Sequence, residues 1–466
     1  MEIKIISDVK NQECDILAVN LFEGKETSNE IANEYALKQD KFEGKCGTTY
    51  LLPTYGKQSA KKILVLGLGK QEELNRNKVR EAAAKAVKKA LQMKAKTLAF
   101  DFEGVNFDYA DVLVEGAMIA DYAFDKYKSD KKDHLETLYL NLDKTLVEKG
   151  EKYGQAMELT RNIANEPAQY ATPEKLAEIA LSLGLDTKVY NRKECEEMGM
   201  TAYLAVARGS AKEPKFIHMK YVPQNPKKRI AIIGKGLCFD SGGMDLKPAA
   251  SMLTMRDDMS GAACILGVMS KIKEFAPNVE VHGIIAACEN MIGPDAYKPG
   301  DILTAKNGKT IEIDNTDAEG RVTLADALCY ACELKVDEII DIATLTGACM
   351  VALGSHASGI MGNNDEFVKK LIEVGANSGE RYWEMPMFKE YFDSLKSEIA
   401  DMKNTGSRWG GASAAGLFLK EFVTDEVKWA HLDVAGTAFL DKPQKEFIAG
   451  ATGVGVRTML NYILEA

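Results

Sequence analysis

Histidine is scarce in this chain, with five among 466 residues, at positions 134, 218, 282, 356 and 431. They stand far apart, no HExxH exists, and no two have the spacing of a zinc site. No apolar run reaches the roughly 18 residues of a membrane-spanning helix. The first twenty residues break their apolar pattern with charges and lack the basic-then-apolar layout of a signal peptide. A cytoplasmic protein with no membrane partner is therefore expected. Familiar glycine signatures are incomplete. Gly67-Leu68-Gly69 has Glu72 where a dinucleotide fingerprint needs glycine, and Gly234-Lys235-Gly236 has Phe239 there. Neither forms a Walker loop. Gly411-Ala412-Ser413-Ala414-Ala415 lacks the last glycine of a nucleophile elbow, and the neighbours Ser355 and His356 point apart in a regular element. Nucleotide-binding and serine-hydrolase readings drop out.

Nine cysteines are scattered, odd in number and mostly in apolar surroundings, which fits buried free thiols rather than a disulfide framework. Cys329 and Cys332 form a CxxC in a helical pattern with no further zinc partners nearby, so burial explains them. The composition is otherwise that of a globular protein, 46% hydrophobic and 27% charged, with a net charge of −10. This excludes collagen, a mucin-like stalk and a disordered acidic chain, and argues against nucleic acid as the main ligand. One stretch runs against that balance. Between residues 61 and 96, eleven basic residues meet three acidic ones. Lacking interleaved aromatics or a helix-turn-helix pattern, it reads as the solvated face of a lysine-rich helix, with DNA binding as the competing reading.

Hydrophobic periodicity predicts an α/β protein of two domains, residues 1–152 and 153–466. In the first, strands are expected at 62–69, 97–100 and 137–142, with helices at 77–93 and 112–123. A helix follows at 153–163, and Thr172 caps another that opens at Pro173. In the second, β-branched strands at 229–233, 279–287 and 338–344 alternate with helices at 261–273, 323–332 and 412–422. Strands apolar on both sides belong in a mostly parallel or mixed central sheet flanked by helices.

Three segments of the larger domain carry acids that stability alone does not explain: GKGLCFDSGGMDLK at 234–247, MRDDMSGAA at 255–263 and NTDAEGR at 315–321. Asp240 is expected in a glycine-rich turn after a strand, Asp257 and Asp258 just before a helix, and Asp317 and Glu319 before another. In an open α/β sheet, loops of this kind meet beyond the carboxyl ends of the strands. Carboxylates crowded together repel unless metal ions or basic groups neutralise them. An oxygen-rich, histidine-free set favours Mg²⁺, Mn²⁺ or Zn²⁺. Lys235, Lys247 and Arg321 interleave with the acids and offer cations for a developing oxyanion. Taken singly, Asp257 and Asp258 are ordinary helix caps, and Asp317 and Glu319 are acids suited to a helix dipole.

These three blocks, in this order, resemble the leucyl (cytosol) aminopeptidases, peptidase family M17. The usual leucine after NTDAEGR is Val322 here. Weaker likenesses are RNIANEPAQYATP at 161–173, ATLTGA at 343–348, DMKNTG at 401–406 and AHLDVAGTAF at 430–439. The resemblance covers residues 155–466, and the first 150 suit the family's variable N-terminal domain. It implies a pair of divalent metals, Mn²⁺ or Zn²⁺, bridged by Asp240 and Glu319. Asp317 completes one metal site, and Lys235 and Asp258 the other. It implies that Lys247 polarises the scissile carbonyl and that Arg321 anchors a bicarbonate acting as base, while the substrate's free α-amine binds a metal. The pocket for the first side chain would involve Met255, Thr344 and Gly347, with Ala435 and Ala438 nearby. Also implied are peptide substrates with N-terminal leucine or similar apolar residues, and a homohexamer. A cysteinylglycine or broad dipeptide hydrolase keeps the same metal site with a different substrate. A scaffold without chemistry leaves the clustered acids and Lys235 unexplained.

Overall fold

The computed structural model describes residues 1–105 and 107–466. The chain divides into two compact units, Met1–Glu158 with Lys442–Ala449, and Leu159–Asp441 with Gly450–Ala466.

The first unit is built on six strands: β1 (Glu2–Ile5), β2 (Cys14–Phe22), β3 (Thr49–Pro53), β4 (Ala60–Gly69), β5 (Thr97–Asp101) and β6 (Thr137–Leu140). Their order is β1-β6-β5-β2-β4-β3, and only the β3–β4 pair is antiparallel. Successive strand residues face opposite sides. Ile16, Ala18 and Phe22 therefore enter one core, with Leu64, Leu66 and Leu68, while Leu17, Val19 and Leu21 enter the other, with Ile63 and Val65. Helices Arg76–Gln92 and Ala110–Asp121 supply apolar residues to the first of these cores. A sheet covered on both faces explains why its central strands read as continuous apolar runs.

The second unit contains β7 (Asp186–Tyr190), β8 (Lys215–Tyr221), β9 (Arg229–Asp240), β10 (Glu280–Asn290), β11 (Ile302–Thr304), β12 (Thr310–Glu312), β13 (Glu338–Ala343), β14 (Ser358–Gly362), β15 (Tyr382–Glu384), β16 (Met402–Lys403), β17 (Lys428–Asp433), β18 (Phe439–Leu440) and β19 (Gly450–Ala451). Eight of them form one mixed sheet in the order β15-β14-β17-β13-β9-β10-β8-β7. The centre, β17-β13-β9-β10, is parallel, and antiparallel strands flank it. The two-domain α/β architecture expected from periodicity is thus present, with a central mixed sheet in the larger domain.

Two local expectations are corrected. The strand expected at 229–233 runs on to Asp240, so Lys235 and Asp240 both project from β9 and not from a turn. Gly234 and Gly236 serve close packing. A Cβ at Gly234 would meet the Gly261 carbonyl carbon at 2.5 Å, and one at Gly236 would meet the Ala286 oxygen at 2.9 Å. Glu319, expected before its helix, is the first residue of the helix Glu319–Glu333. Elsewhere Thr172 caps the helix Pro173–Ser182 as its side chain suggests, accepting from the Lys175 amide at 3.3 Å. The helix expected at 153–163 starts earlier, at Lys144, and ends at Asn165. All nine cysteines are free, seven of them buried.

Candidate metal centre and active site

The parallel centre of the large sheet delivers the site. Asp240 ends β9, and Thr344 follows β13. Asp258 lies in the turn Met255–Met259, just before the helix Ser260–Phe275. Asp317 lies in the turn Thr316–Ala318, directly before Glu319. Carboxylate oxygens of Asp240, Asp317 and Glu319 lie within 4.8 Å of one another. Two segments separated by up to 79 positions in the chain therefore meet beyond the carboxyl ends of the strands, as the open-sheet argument requires.

Two lysines are threaded between the acids. Lys235 Nζ lies 2.8 Å from Asp258 Oδ1 and 2.9 Å from Glu319 Oε1, and donates to the Thr344 carbonyl at 3.1 Å. Lys247 Nζ lies 2.8 Å from Asp240 Oδ2 and 2.5 Å from Asp317 Oδ1. Burial opposes the charge on both lysines, yet the surrounding carboxylates hold both ammoniums above their ordinary range. Burial in turn pushes the carboxyls of Asp258, Asp317 and Glu319 upward, and the neighbouring Asp240 adds to the effect on Glu319. Raised acids around charged lysines mark a pocket short of positive charge. Four carboxylates against two ammoniums leave two negative charges in excess.

The donor set fits divalent ions. Asp258 Oδ2 and Glu319 Oε2 are buried and accept no hydrogen bond, which is costly for a carboxylate unless a cation satisfies it. The donors are hard oxygens with one amine nearby: Asp240, Asp317 and Glu319 converge, and Lys235 links Glu319 to Asp258.

Several residues that were not singled out from the sequence shape the site. Asn290, at the end of β10, donates through Nδ2 to Asp240 Oδ1 at 2.8 Å and to the Thr316 carbonyl at 3.0 Å, fixing the NTDAEGR loop against β9. Asn404 clamps the same loop. Its Oδ1 accepts from the Asp314 amide at 2.8 Å, and its Nδ2 donates to the Asn315 carbonyl at 2.6 Å. The Asn404 carbonyl also receives Arg321 Nη1 at 3.0 Å. Asp433 holds the loop after β13 by accepting from Thr346 Oγ1 at 2.7 Å and from the Leu345 amide at 3.2 Å. Asn404 and Asp433 belong to the DMKNTG and AHLDVAG segments, so weak likeness was their one signal.

Arg321 is buried, and its Nε has no hydrogen-bond partner. Burial pulls its guanidinium down to about 10, although Glu319 and Asp433 favour the charge. A buried guanidinium with a spare N–H is suited to a small anion. Of the residues implied for the side-chain pocket, Thr344 donates through Oγ1 to Asp258 Oδ1 at 2.8 Å. Met255 opens the turn that carries Asp258. Gly347 begins the helix Gly347–Leu353, and a Cβ there would face open space. The Ala435 amide donates to Asp433 Oδ1 at 3.2 Å. Ala438 is buried, its carbonyl taken by the Thr452 amide at 2.9 Å.

Known proteins share this arrangement over nearly the whole chain. The catalytic-domain model of the cytosol aminopeptidase family matches residues 158–460, and its N-terminal-domain model matches residues 22–131. A probable cytosol aminopeptidase of Aquifex aeolicus is 43% identical over 100% of this chain and 98% of its own. One from Persephonella marina is 44% identical over 92% and 90%. Among solved structures, the bottromycin maturation enzyme BotP in complex with Mn is similar at a TM-score of 0.89 and 31% identity, covering 97% of this chain and 99% of that one. A lysine-to-glutamate mutant of tomato leucine aminopeptidase is similar at a TM-score of 0.89 and 35% identity, covering 100% and 96%. Among the described residues, no helix is long and apolar enough to cross a membrane. With both domains matched and the acidic cluster where a metal is needed, the chain belongs to the cytosol aminopeptidase family, peptidase family M17, and is a metal-dependent aminopeptidase.

Proposed function

We propose that this enzyme releases N-terminal leucine and similar apolar residues from peptides in the cytoplasm, using two divalent ions, Mn²⁺ or Zn²⁺. The convergence of Asp240, Asp317 and Glu319, with buried carboxylate oxygens beside them that accept no hydrogen bond, carries this reading. Asp240 and Glu319 with Asp317 would hold one ion, and the same two acids with Asp258 and Lys235 would hold the other. Lys235 would serve there as a neutral amine only once a bound divalent ion displaced its proton, since the surrounding carboxylates hold its ammonium above the ordinary range despite burial. Bound divalent ions supply the Lewis acidity that makes water nucleophilic near neutral pH and polarises a carbonyl.

The chain's own residues do the rest. Lys247 directs its ammonium at the scissile carbonyl oxygen and stabilises the negative charge that develops there. Arg321 would hold a small anion such as bicarbonate beside the acids, and that anion would supply basicity there. No histidine is then needed as a base. Met255, Thr344 and Gly347, with Ala435 and Ala438 nearby, receive the first side chain. One methylene in such a pocket is worth about 1–3 kcal/mol, so selectivity among apolar residues is broad. The assembly we propose is a homohexamer, as the family resemblance implies, and the biological role is peptide turnover.

The test is hydrolysis of leucine p-nitroanilide, Leu-Gly and Cys-Gly by metal-stripped protein, with Mn²⁺, Zn²⁺, Mg²⁺ and Co²⁺ restored singly. Metal-dependent release of leucine that disappears in Glu319→Gln is expected. Folded wild-type protein that releases nothing with any ion overturns the reading, and a strong preference for Cys-Gly replaces its substrate.

A further inference from the structure

The first unit is an open sheet too, and its strand order marks a place that the peptidase reading leaves unused. β2 and β5 are parallel neighbours, yet β2 leads through β3 to β4 on one side, and β5 leads to β6 on the other. Connections that depart in opposite directions leave a crevice between the carboxyl ends of the two strands, the usual ligand position in such a sheet. A crevice of about 270 Å³ lies there, lined by Asn20 and Phe22 of β2 and by Glu103 and Gly104 just past β5.

Asn20 breaks the pattern of its strand. Alternation sends Ile16, Ala18 and Phe22 into the core, and Asn20 falls on that same face at 5% exposure. Its Nδ2 donates to the Glu103 carbonyl at 2.9 Å, while its Oδ1 accepts no hydrogen bond among the described residues. An amide oxygen on a covered face, without a donor and with a crevice before it, is a ready acceptor for whatever enters. Three loops are tied together around it. Ser28 Oγ donates to Asp101 Oδ2 at 2.7 Å, Gln71 Nε2 donates to the Gly104 carbonyl at 3.2 Å, and Lys25 donates to Gln71 Oε1. The rim is thereby preformed by the loops after β2, β4 and β5.

The lining carries no surplus of positive charge. Glu26 and Glu103 face one ammonium, Lys25, and Lys10 lies 3.5 Å from Glu103 Oε2. Nothing there draws an anion. The remaining polar groups are the amides of Asn20 and Gln71 and the hydroxyls of Thr27 and Ser28, over Phe22 as an apolar floor. Amide and carboxylate oxygens accept from hydroxyl groups, and side-chain N–H and O–H groups donate back to them.

We propose that this crevice binds a neutral, hydroxyl-rich ring of about the size of a single pentose. Its volume falls just under the roughly 300–1,000 Å³ of sites for drug-sized ligands, which suits one ring. Asn20 Oδ1 and the Glu103 carboxylate accept from the ring's hydroxyls, and one face of the ring lies toward Phe22. The proposal does not depend on the peptidase mechanism.

Saturation-transfer NMR on the full-length protein tests it, with D-ribose as the probe, ribose 5-phosphate as the charged comparison and cyclohexanol as a ring with a single hydroxyl. Hydrogen exchange of segments 20–28 and 69–74 locates the binding. D-ribose is expected to bind in the millimolar range and to slow exchange in both segments, with ribose 5-phosphate weaker and cyclohexanol silent. Asn20→Ala should weaken ribose about fivefold or more, the effect of one lost hydrogen bond to a buried group. Should that variant not fold, Glu103→Gln, at an exposed position, should weaken ribose about threefold or more. Leucine p-nitroanilide hydrolysis should match wild type in both. Absence of saturation transfer from ribose, unchanged exchange in both segments, equal transfer from cyclohexanol, or undiminished ribose binding in the folded variants each overturns the proposal. Tighter binding of ribose 5-phosphate than of ribose overturns it as well, since the crevice would then be an anion site.

Discussion

Lys247 and Lys235 look alike in the sequence, each a lysine near Asp240, but the structure separates their surroundings. Lys235 is enclosed, with Asp258, Glu319 and the Thr344 carbonyl around its amine. Lys247 bridges Asp240 and Asp317 from a less buried position. We expect Lys247→Met to lower kcat for leucine p-nitroanilide by about 10²–10³, the cost of one oxyanion donor, with KM little changed. A rise in KM at constant kcat would instead assign Lys247 to substrate binding. The acids and cations of the site were legible because such groups are unusual at strand ends and helix starts in a buried setting. Asn290, Asn404 and Asp433 were not. An Asn or Asp in a loop looks like any turn residue until its partners, here up to 90 positions away, are placed beside it.

At the scale of elements, the site depends on how closely β9, β13 and the helix Ser260–Phe275 approach. A Cβ at Gly261 would lie 2.2 Å from the Ile342 carbonyl oxygen and 2.8 Å from the Lys235 amide nitrogen, both backbone atoms. Neither can move without shifting a strand that carries a site residue. Gly261→Ala is therefore expected to destabilise the protein by about 1–3 kcal/mol or more and to reduce metal-restored hydrolysis in whatever protein still folds. Urea unfolding followed by tryptophan fluorescence measures the first, and an unchanged midpoint would contradict the packing argument. Glycine at 234, 236 and 261 explains why sequence reading ended the strand too soon. Gly-x-Gly signals a turn or a close approach equally well, and only the neighbouring helix and strand distinguish the two.

At the scale of the whole molecule, a ligand held only by the native state stabilises that state by mass action. Metal-stripped protein should therefore melt higher when Mn²⁺ is restored, by several degrees at concentrations well above the dissociation constant. EDTA should reverse the shift, and Asp240→Asn should reduce it. Differential scanning calorimetry checks this, and identical melting with and without Mn²⁺ would mean the acidic cluster does not hold the ion in solution.

Metal-dependent peptidase chemistry and the α/β class of fold are both written in the linear order of residues. Apolar periodicity is local and reports which faces of each strand and helix are buried, while charged groups placed against that pattern declare themselves. Tertiary structure alone decided what meets what. It brought carboxylates from two segments within 4.8 Å and returned Lys442–Ala449 to the first unit. These depend on strand order and on backbone approaches between distant residues, which a one-dimensional pattern does not encode.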